Sequence, residues 1–97
     1  MIVADFAVIP MGKGTSASNY VQAVQETLRE NGIKYVSGPM STTVEVSDFE
    51  ELSLLIENAN KRLADMGVER IITTLRIDYR LDKDISIESK LHIKKVS

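Results

Sequence analysis

The sequence contains no cysteine and a single histidine among its 97 residues. Without cysteine the chain forms no disulfide bonds and offers no thiolate chemistry, which is typical of proteins in a reducing cytoplasm. The first residues run directly into a strand pattern, without the basic stretch and long apolar run of a signal peptide or a membrane span. We therefore expect a cytoplasmic protein with no membrane partner.

Motifs for catalysis and cofactor binding are also missing. The single histidine, His92, lies in a weakly patterned C-terminal segment with no evident nucleophile paired with it. No His/Cys/Asp spacing suits a metal, and no Gly-rich dinucleotide motif follows the first strand. The Gly-Lys-Gly-Thr-Ser string at 12–16 lacks the spacing of a phosphate loop, and the acidic residues at 78, 82 and 84 lack the Gly and Glu of a calcium loop. These absences predict a protein that is not an enzyme and binds neither a metal nor a cofactor.

Charge and length limit the possible partners. The net charge of -2 argues against nucleic acid, whose backbone usually requires a basic protein face. A chain of 97 residues forms one domain, 1–97, with a modest hydrophobic core. A second subunit is therefore a reasonable source of additional buried surface.

The longest strand signal covers residues 70–80, where β-branched and aromatic residues dominate and neither Gly nor Pro occurs. Side chains alternate between the two faces of a strand, so one face of this strand is apolar and is expected to join the core. The other face carries Thr74, Arg76, Asp78 and Arg80 beside Ile72. This second face combines polar and apolar residues and is the main indication of function.

The remaining pattern predicts the order βαββαβ followed by a short helix. Strands are expected at 2–10, 33–37, 41–46 and 70–80, and a first helix at 18–31. A second helix is expected to begin at a capping box formed by Ser47 and Glu50 and to end at Gly67. The last segment, 86–96, is predicted to form an amphipathic helix, although its residues 91–94 also alternate as in a strand.

This order is most simply folded as a ferredoxin-like α+β sandwich, with an antiparallel sheet and both long helices on one face. The usual strand order, 4-1-3-2, brings Asp5, Glu45 and Arg76 together on the opposite face, which we call the mixed face. The same face carries Val3 and Ile9 and other apolar residues. We predict that the mixed face packs against a second subunit; the alternative is a face covered only by water.

Three segments resemble the small thiamine-binding protein family related to YkoF, namely 1–6, 39–45 and 73–80. The likeness follows the same order over nearly the whole chain. It implies a ferredoxin-like unit that forms homo-oligomers, dimers or tetramers, and that binds thiamine or its hydroxymethylpyrimidine half. The chain departs from the family pattern at Ser41 and Val46, where glycine is common, and at Tyr79, where an acidic residue is common.

A thiamine site needs a carboxylate, several hydroxyls and flat or soft apolar walls, because the ligand joins an aminopyrimidine to a cationic thiazolium. Glu45 is the candidate carboxylate, although it can instead pair with Arg76. Asp5, Arg76 and Asp78 are expected to order the subunit interface. The other ligand candidates are polar or sulfur-bearing residues on strands and loops, and each also has an ordinary structural role: Thr42, Thr43, Thr74, Met11, Met40, Ser16 and Asn19.

The sequence thus predicts a non-enzymatic small-molecule binding protein, with thiamine or a related pyrimidine at or near a subunit interface. The alternative is a structural or regulatory interaction module that forms oligomers and has no physiological small ligand, since the fold alone does not distinguish the two.

Overall fold

The computed structural model describes residues 1–12 and 18–96, with side chains described up to residue 91. Its elements alternate as the sequence pattern predicts: β1 (Ile2–Pro10), α1 (Ser18–Glu30), β2 (Lys34–Ser37), β3 (Thr42–Val46), α2 (Phe49–Asp65), β4 (Ile71–Asp78) and α3 (Ile87–Val96). The order confirms the ferredoxin-like α+β fold and the additional C-terminal helix. Within the described part of the chain, no helix is long and apolar enough to span a membrane.

The four strands form one antiparallel sheet in the order β2-β3-β1-β4, which is the predicted order counted from the other edge. β1 lies at the centre and pairs with β4 from Val3 opposite Asp78 to Pro10 opposite Ile71. The same strand places Asp5 opposite both Thr43 and Arg76. Residues that are far apart in the sequence therefore share the centre of the mixed face.

The main core lies between the sheet and the two long helices. Alternate residues of β1 point into it, and Ile2, Ala4 and Phe6 are all buried. From α2, residues spaced by three or four positions complete the core, because that spacing keeps them on one side of the helix: Leu52, Leu55, Ala59 and Leu63. α1 contributes Val24 and Leu28 to the same core.

The capping residue of α2 differs from the predicted one. The helix is capped by Asp48, whose carboxylate accepts a hydrogen bond from the backbone N–H of Glu51 at 2.8 Å. The Glu51 side chain in turn accepts from the backbone N–H of Ser47 at 3.4 Å. The prediction of Ser47 and Glu50 was therefore wrong by one residue, because Asp48 and Glu51 have the same three-residue spacing. Gly67 follows the helix with a φ of 91°, as expected of a helix-ending glycine.

Asp48→Ala is expected to lower the free energy of unfolding by about 1 kcal/mol, because the N–H of Glu51 then loses its acceptor. Ser47→Ala is the control, since only the backbone of Ser47 takes part in this arrangement, and we expect little change. Urea denaturation of both variants measures the difference. A greater loss of unfolding free energy for Ser47→Ala than for Asp48→Ala would instead identify Ser47 as the capping residue.

The C-terminal segment forms a helix, as predicted, and lies on the mixed face of its own chain. Ile85 and Ile87 bury their side chains against Val3 and form a second, smaller hydrophobic cluster. Ser86 and Ser89 exchange hydrogen bonds at the start of α3, each hydroxyl accepting from the other residue's backbone N–H at 3.0 Å. Part of the apolar surface that was expected to meet a second subunit is thus covered within the chain.

Candidate functional site: a cavity between the sheet and the C-terminal helix

A cavity of about 460 Å³ lies between the mixed face and α3, and we call it the mixed-face cavity. Its volume falls within the range of about 300–1,000 Å³ that is usual for small-molecule sites. Apolar side chains from β1, β2 and α3 line it: Val3, Val36, Ile87 and Leu91. The polar side chains that line it come from β1, β3, β4 and α3: Asp5, Thr43, Arg76, Asp78 and Lys90.

Asp5 and Arg76 form an ion pair at the cavity, as the predicted strand order requires. The Nη2 of Arg76 donates to the Oδ2 of Asp5 at 2.7 Å, and this hydrogen bond raises the pKa of Arg76. The side chain of Asp5 is 24% exposed, whereas that of Arg76 is 84% exposed. The carboxylate of Asp5 is therefore largely enclosed by the sheet. The guanidinium of Arg76 lies in solvent, so its movement away from Asp5 costs little free energy.

Two further ion pairs attach α3 to the sheet. Asp78 on β4 accepts from Lys90, and Lys34 on β2 donates to Glu88. The hydrogen bond from Lys34 to Glu88 lowers the pKa of the Glu88 carboxyl and raises the pKa of Lys34, because it stabilises the charged form of each group. α3 is thus attached at both edges of the sheet and forms one wall of the cavity.

Glu45 is attached to the beginning of α3. Its Oε1 accepts a hydrogen bond from the backbone N–H of Ile87 at 2.8 Å, at a helix end where a negative charge is favourable. Lys34 is its neighbour across the β2–β3 ladder. Among the described contacts Glu45 is bonded to α3 and not to Arg76. Sequence patterns do not reveal this contact, because the partner is a backbone group of a distant segment.

The predicted hydroxyl donors lie on both faces of the sheet. Thr43 lines the mixed-face cavity, whereas Thr74 lies on the mixed face opposite Ala7 and outside the cavity lining. Thr42, one residue before Thr43, faces the helices and is buried. Alternation along a strand requires this separation, so Thr42 and Thr43 do not share one site within the chain.

A smaller cleft of about 230 Å³ lies on the helix side of the sheet, between α1 and the β2–β3 turn. Thr42 and Met40 line it, and Met40 is 90% exposed at its rim. Met11 follows β1, with its backbone N–H donating to the carbonyl of Arg70 at 2.9 Å, and Asn19 is exposed in the first turn of α1. Ser16 lies outside the described residues. The predicted ligand residues therefore belong to at least two separate regions.

Sequence analysis did not single out the cavity residues that α3 supplies. Ile87 contributes apolar surface to the cavity, and Lys90 contributes a positive charge that pairs with Asp78. The sequence feature that involves these residues is the amphipathic pattern of 86–96. This pattern predicts a helix, but it does not predict the surface against which the helix packs. Within the described residues, no group of three or more His, Asp or Glu side chains is placed to hold a metal ion.

The strand order and the two-layer packing define a ferredoxin-like sandwich with a cavity beside its sheet. Comparison with known families then gives a narrower assignment, because the model of the family described as "Thiamine-binding protein" matches residues 4–95. The chain belongs to this family, as the resemblance in its sequence predicted.

Related sequences and structures agree with this assignment. A UPF0045 protein of Methanothermobacter thermautotrophicus is 37% identical over 92 residues, covering 94% of this chain and 93% of the relative. The UPF0045 protein YqgV of Bacillus subtilis is 38% identical over 96 residues, covering 94% and 91%.

Two solved structures share the fold over almost their whole length. A hypothetical protein of Methanocaldococcus jannaschii has a TM-score of 0.82 and 35% identity, covering 97% of this chain and 95% of that protein. A Thermotoga maritima protein, described as a proposed thiamine biosynthesis or salvage protein, has a TM-score of 0.79 and 27% identity, covering 96% and 97%.

Proposed function

We propose that the protein is a non-enzymatic, cytoplasmic binding protein for thiamine or its hydroxymethylpyrimidine half, and that the ligand occupies the mixed-face cavity. The proposal is based on one observation: a cavity of suitable volume is lined by apolar side chains and by the largely buried carboxylate of Asp5 on β1. Membership in the thiamine-binding family supports the ligand class. So does the likeness to the Thermotoga maritima protein.

The cavity suits a flat molecule with one positive charge. Val3, Val36 and Leu91 offer apolar surface to an aromatic ring, and the hydroxyl of Thr43 offers a hydrogen bond to an aminopyrimidine edge. Asp5 offers a negative charge to the thiazolium. Arg76 competes for this carboxylate, but its solvent-exposed guanidinium can turn away when a cationic ligand enters.

Glu45 acts in this proposal through α3. Its carboxylate binds the backbone N–H of Ile87, the first residue of α3, and so positions the helix that forms one wall of the cavity. Thr74 lies farther along the same face, where a large ligand would reach it. Thr42 and Met40 line the helix-side cleft, which is the alternative location for the uncharged pyrimidine half. Ligand contacts of Met11, Ser16 and Asn19 stay predictions from the sequence.

Thr43→Val and Thr42→Val form a matched pair that distinguishes the two locations. Each change replaces a hydroxyl with a methyl group of similar volume, on neighbouring residues that face opposite sides of the sheet. We expect thiamine to bind the wild type with a free energy of roughly -8 kcal/mol or better, which corresponds to a micromolar Kd. Thr43→Val is expected to cost about 0.5–1.5 kcal/mol, and Thr42→Val almost nothing.

Isothermal titration calorimetry with thiamine, hydroxymethylpyrimidine and thiamine diphosphate measures these affinities. A loss confined to Thr42→Val would move the ligand to the helix-side cleft. Absence of binding for all three ligands, at millimolar concentration and without thermal stabilisation, would contradict the proposed ligand class. Circular dichroism of both variants is the control for folding.

A second candidate function is an oligomeric interaction module without a small ligand. It is favoured by one observation, the exposure of two large apolar side chains on β4, Leu75 and Ile77, and of Tyr79 directly after the strand. Under either function we propose a homo-oligomer, a dimer or a tetramer, in which Asp5, Arg76 and Asp78 lie at or beside an interface.

A further inference from the structure

Two ion pairs lie side by side at the mixed-face cavity. Asp5 on β1 pairs with Arg76 on β4, and Asp78, two residues after Arg76 on the same strand, pairs with Lys90 of α3. Residues two apart on a strand face the same side, with Cα atoms about 7 Å apart. All four charged side chains line the cavity, which therefore presents two carboxylates and two cationic groups to a ligand.

These charges balance one another before any ligand binds, and the balance limits which ligands the cavity favours. A cation that binds Asp5 displaces Arg76, which stays close by as a like charge. An anion that draws Arg76 away leaves the carboxylate of Asp5, only 24% exposed, without its partner. A ligand that carries one charge of each sign replaces both partners at once. The Asp5–Arg76 pair therefore favours a ligand with both charges.

We propose that the mixed-face cavity selects a zwitterion, a cationic ring that carries a single phosphate ester on a short arm, over the same cation without the phosphate. Asp5 binds the ring cation and Arg76 binds the phosphate. Because this preference rests on the proposed function, it names thiamine monophosphate as the preferred form of the ligand. The thiazolium and its two-carbon arm place both charges at one end of the molecule, which leaves the aminopyrimidine to the apolar walls.

Arg76 is suited to a phosphate by its geometry and its exposure. Among the described contacts its side chain makes one hydrogen bond, to Asp5, although a guanidinium has five N–H donors. Two of these donors can bind two phosphate oxygens in parallel. Because the side chain is 84% exposed, it turns from the carboxylate to the phosphate at little cost in free energy.

Lys90 adds a second positive charge on the α3 side of the same cavity. A phosphate monoester carries a charge of about -1.5 to -2 at pH 7, which two cationic side chains can balance. A diphosphate brings further negative charge into a cavity that Asp5 and Asp78 also line. No additional lysine or arginine lines the described cavity to balance that charge. The cavity therefore favours one phosphate group over two.

Isothermal titration calorimetry of the wild type with thiamine, thiamine monophosphate and thiamine diphosphate measures this preference. The buffer contains no phosphate or sulfate, because either anion would compete for Arg76. We expect the monophosphate to bind about tenfold more tightly than thiamine, the gain of one hydrogen-bonded charge pair. The diphosphate is expected to bind more weakly than the monophosphate.

Arg76→Gln should remove this preference by changing the two affinities in opposite directions. The substitution takes away the partner of the phosphate, so the affinity for the monophosphate should fall by about tenfold. It also takes away the cation that competes for Asp5, so the affinity for thiamine should rise by up to about fivefold, the equivalent of one exposed ion pair. A general loss of folding or of the cavity would instead lower both affinities.

Arg80→Gln is the matched control. It removes one positive charge two residues beyond β4, where Arg80 pairs with Asp82 and does not line the cavity. Any effect of net charge alone would appear in this variant as well. We expect it to keep the wild-type order of affinities, with the monophosphate tightest.

The possible failures can be told apart. Thiamine that binds as tightly as the monophosphate, or more tightly, would overturn the preference and leave the proposed function standing. A preference that survives in Arg76→Gln, or that disappears equally in Arg80→Gln, would overturn the role of Arg76. Absence of binding for all three compounds would overturn the proposed function together with the preference. Because the order of affinities is measured first on the unaltered chain, a folding defect in a variant cannot protect the proposal.

Discussion

Leu63→Ala is expected to lower the free energy of unfolding by about 2–5 kcal/mol, whereas Leu54→Ala should change it by no more than about 0.5 kcal/mol. Both residues lie on α2, but Leu63 is 0% exposed and Leu54 is 55% exposed. Truncation of Leu63 removes apolar contacts and leaves a cavity in the core cluster to which Val44 and Phe6 also belong. Truncation of Leu54 removes a side chain that is largely in water.

Urea denaturation followed by circular dichroism measures this difference, with the slope of the transition as a check that the unfolded states are comparable. A domain of this size has a total stability of about 5–15 kcal/mol, so the Leu63 variant should lose a large share of it. Alanine has a slightly higher helix propensity than leucine, so both substitutions favour the helix by a similar amount. This shared effect cancels when the two variants are compared. Equal losses for the two variants would contradict the placement of α2 over the sheet.

Asp5→Asn is expected to weaken thiamine binding by about 10- to 100-fold, which corresponds to the loss of a charge-assisted interaction worth about 1.5–3 kcal/mol. The substitution keeps the size of the side chain and removes its negative charge. Hydroxymethylpyrimidine has no thiazolium, so its affinity should change much less. The ratio of the two affinities therefore reports whether the Asp5 carboxylate recognises the positive charge.

Asp82→Asn is the control for this experiment. Asp82 is an exposed aspartate that pairs with Arg80, and this pairing lowers the pKa of the Asp82 carboxyl. It does not line the mixed-face cavity, so its replacement should leave both affinities unchanged. Wild-type affinity of Asp5→Asn for thiamine would remove Asp5 from the site. The Asp5–Arg76 pair is largely exposed on the arginine side, so the variant is expected to remain folded.

Much of this fold follows from periodicity alone. Alternation in 2–10 and 70–80 predicts β1 and β4, and residues spaced by three or four from Leu52 to Leu63 predict α2. Once the ferredoxin-like order is assumed, Asp5 and Arg76 must lie close together, and the structure confirms that they do. These features depend on local pattern and on a small number of allowed topologies.

Other features depend on packing between distant segments, which periodicity does not encode. The sequence predicted a helix at 86–96 but not its position on the mixed face, where Glu45 binds the N–H of Ile87. The apolar side of β4 was predicted to be buried throughout, but the helices do not extend over Leu75 and Ile77. Thr42 and Thr43, by contrast, could have been separated from the sequence, since adjacent strand residues face opposite ways.

The two edges of the sheet differ in a way that limits assembly. β2 is only four residues long, whereas β4 is twice as long, and each of these strands has one charged residue paired with α3. Short and charged edges resist the addition of strands. Of the two edges, β2 is therefore the one that resists the addition of a further strand, which lowers the tendency of the sheet to polymerise through its edges.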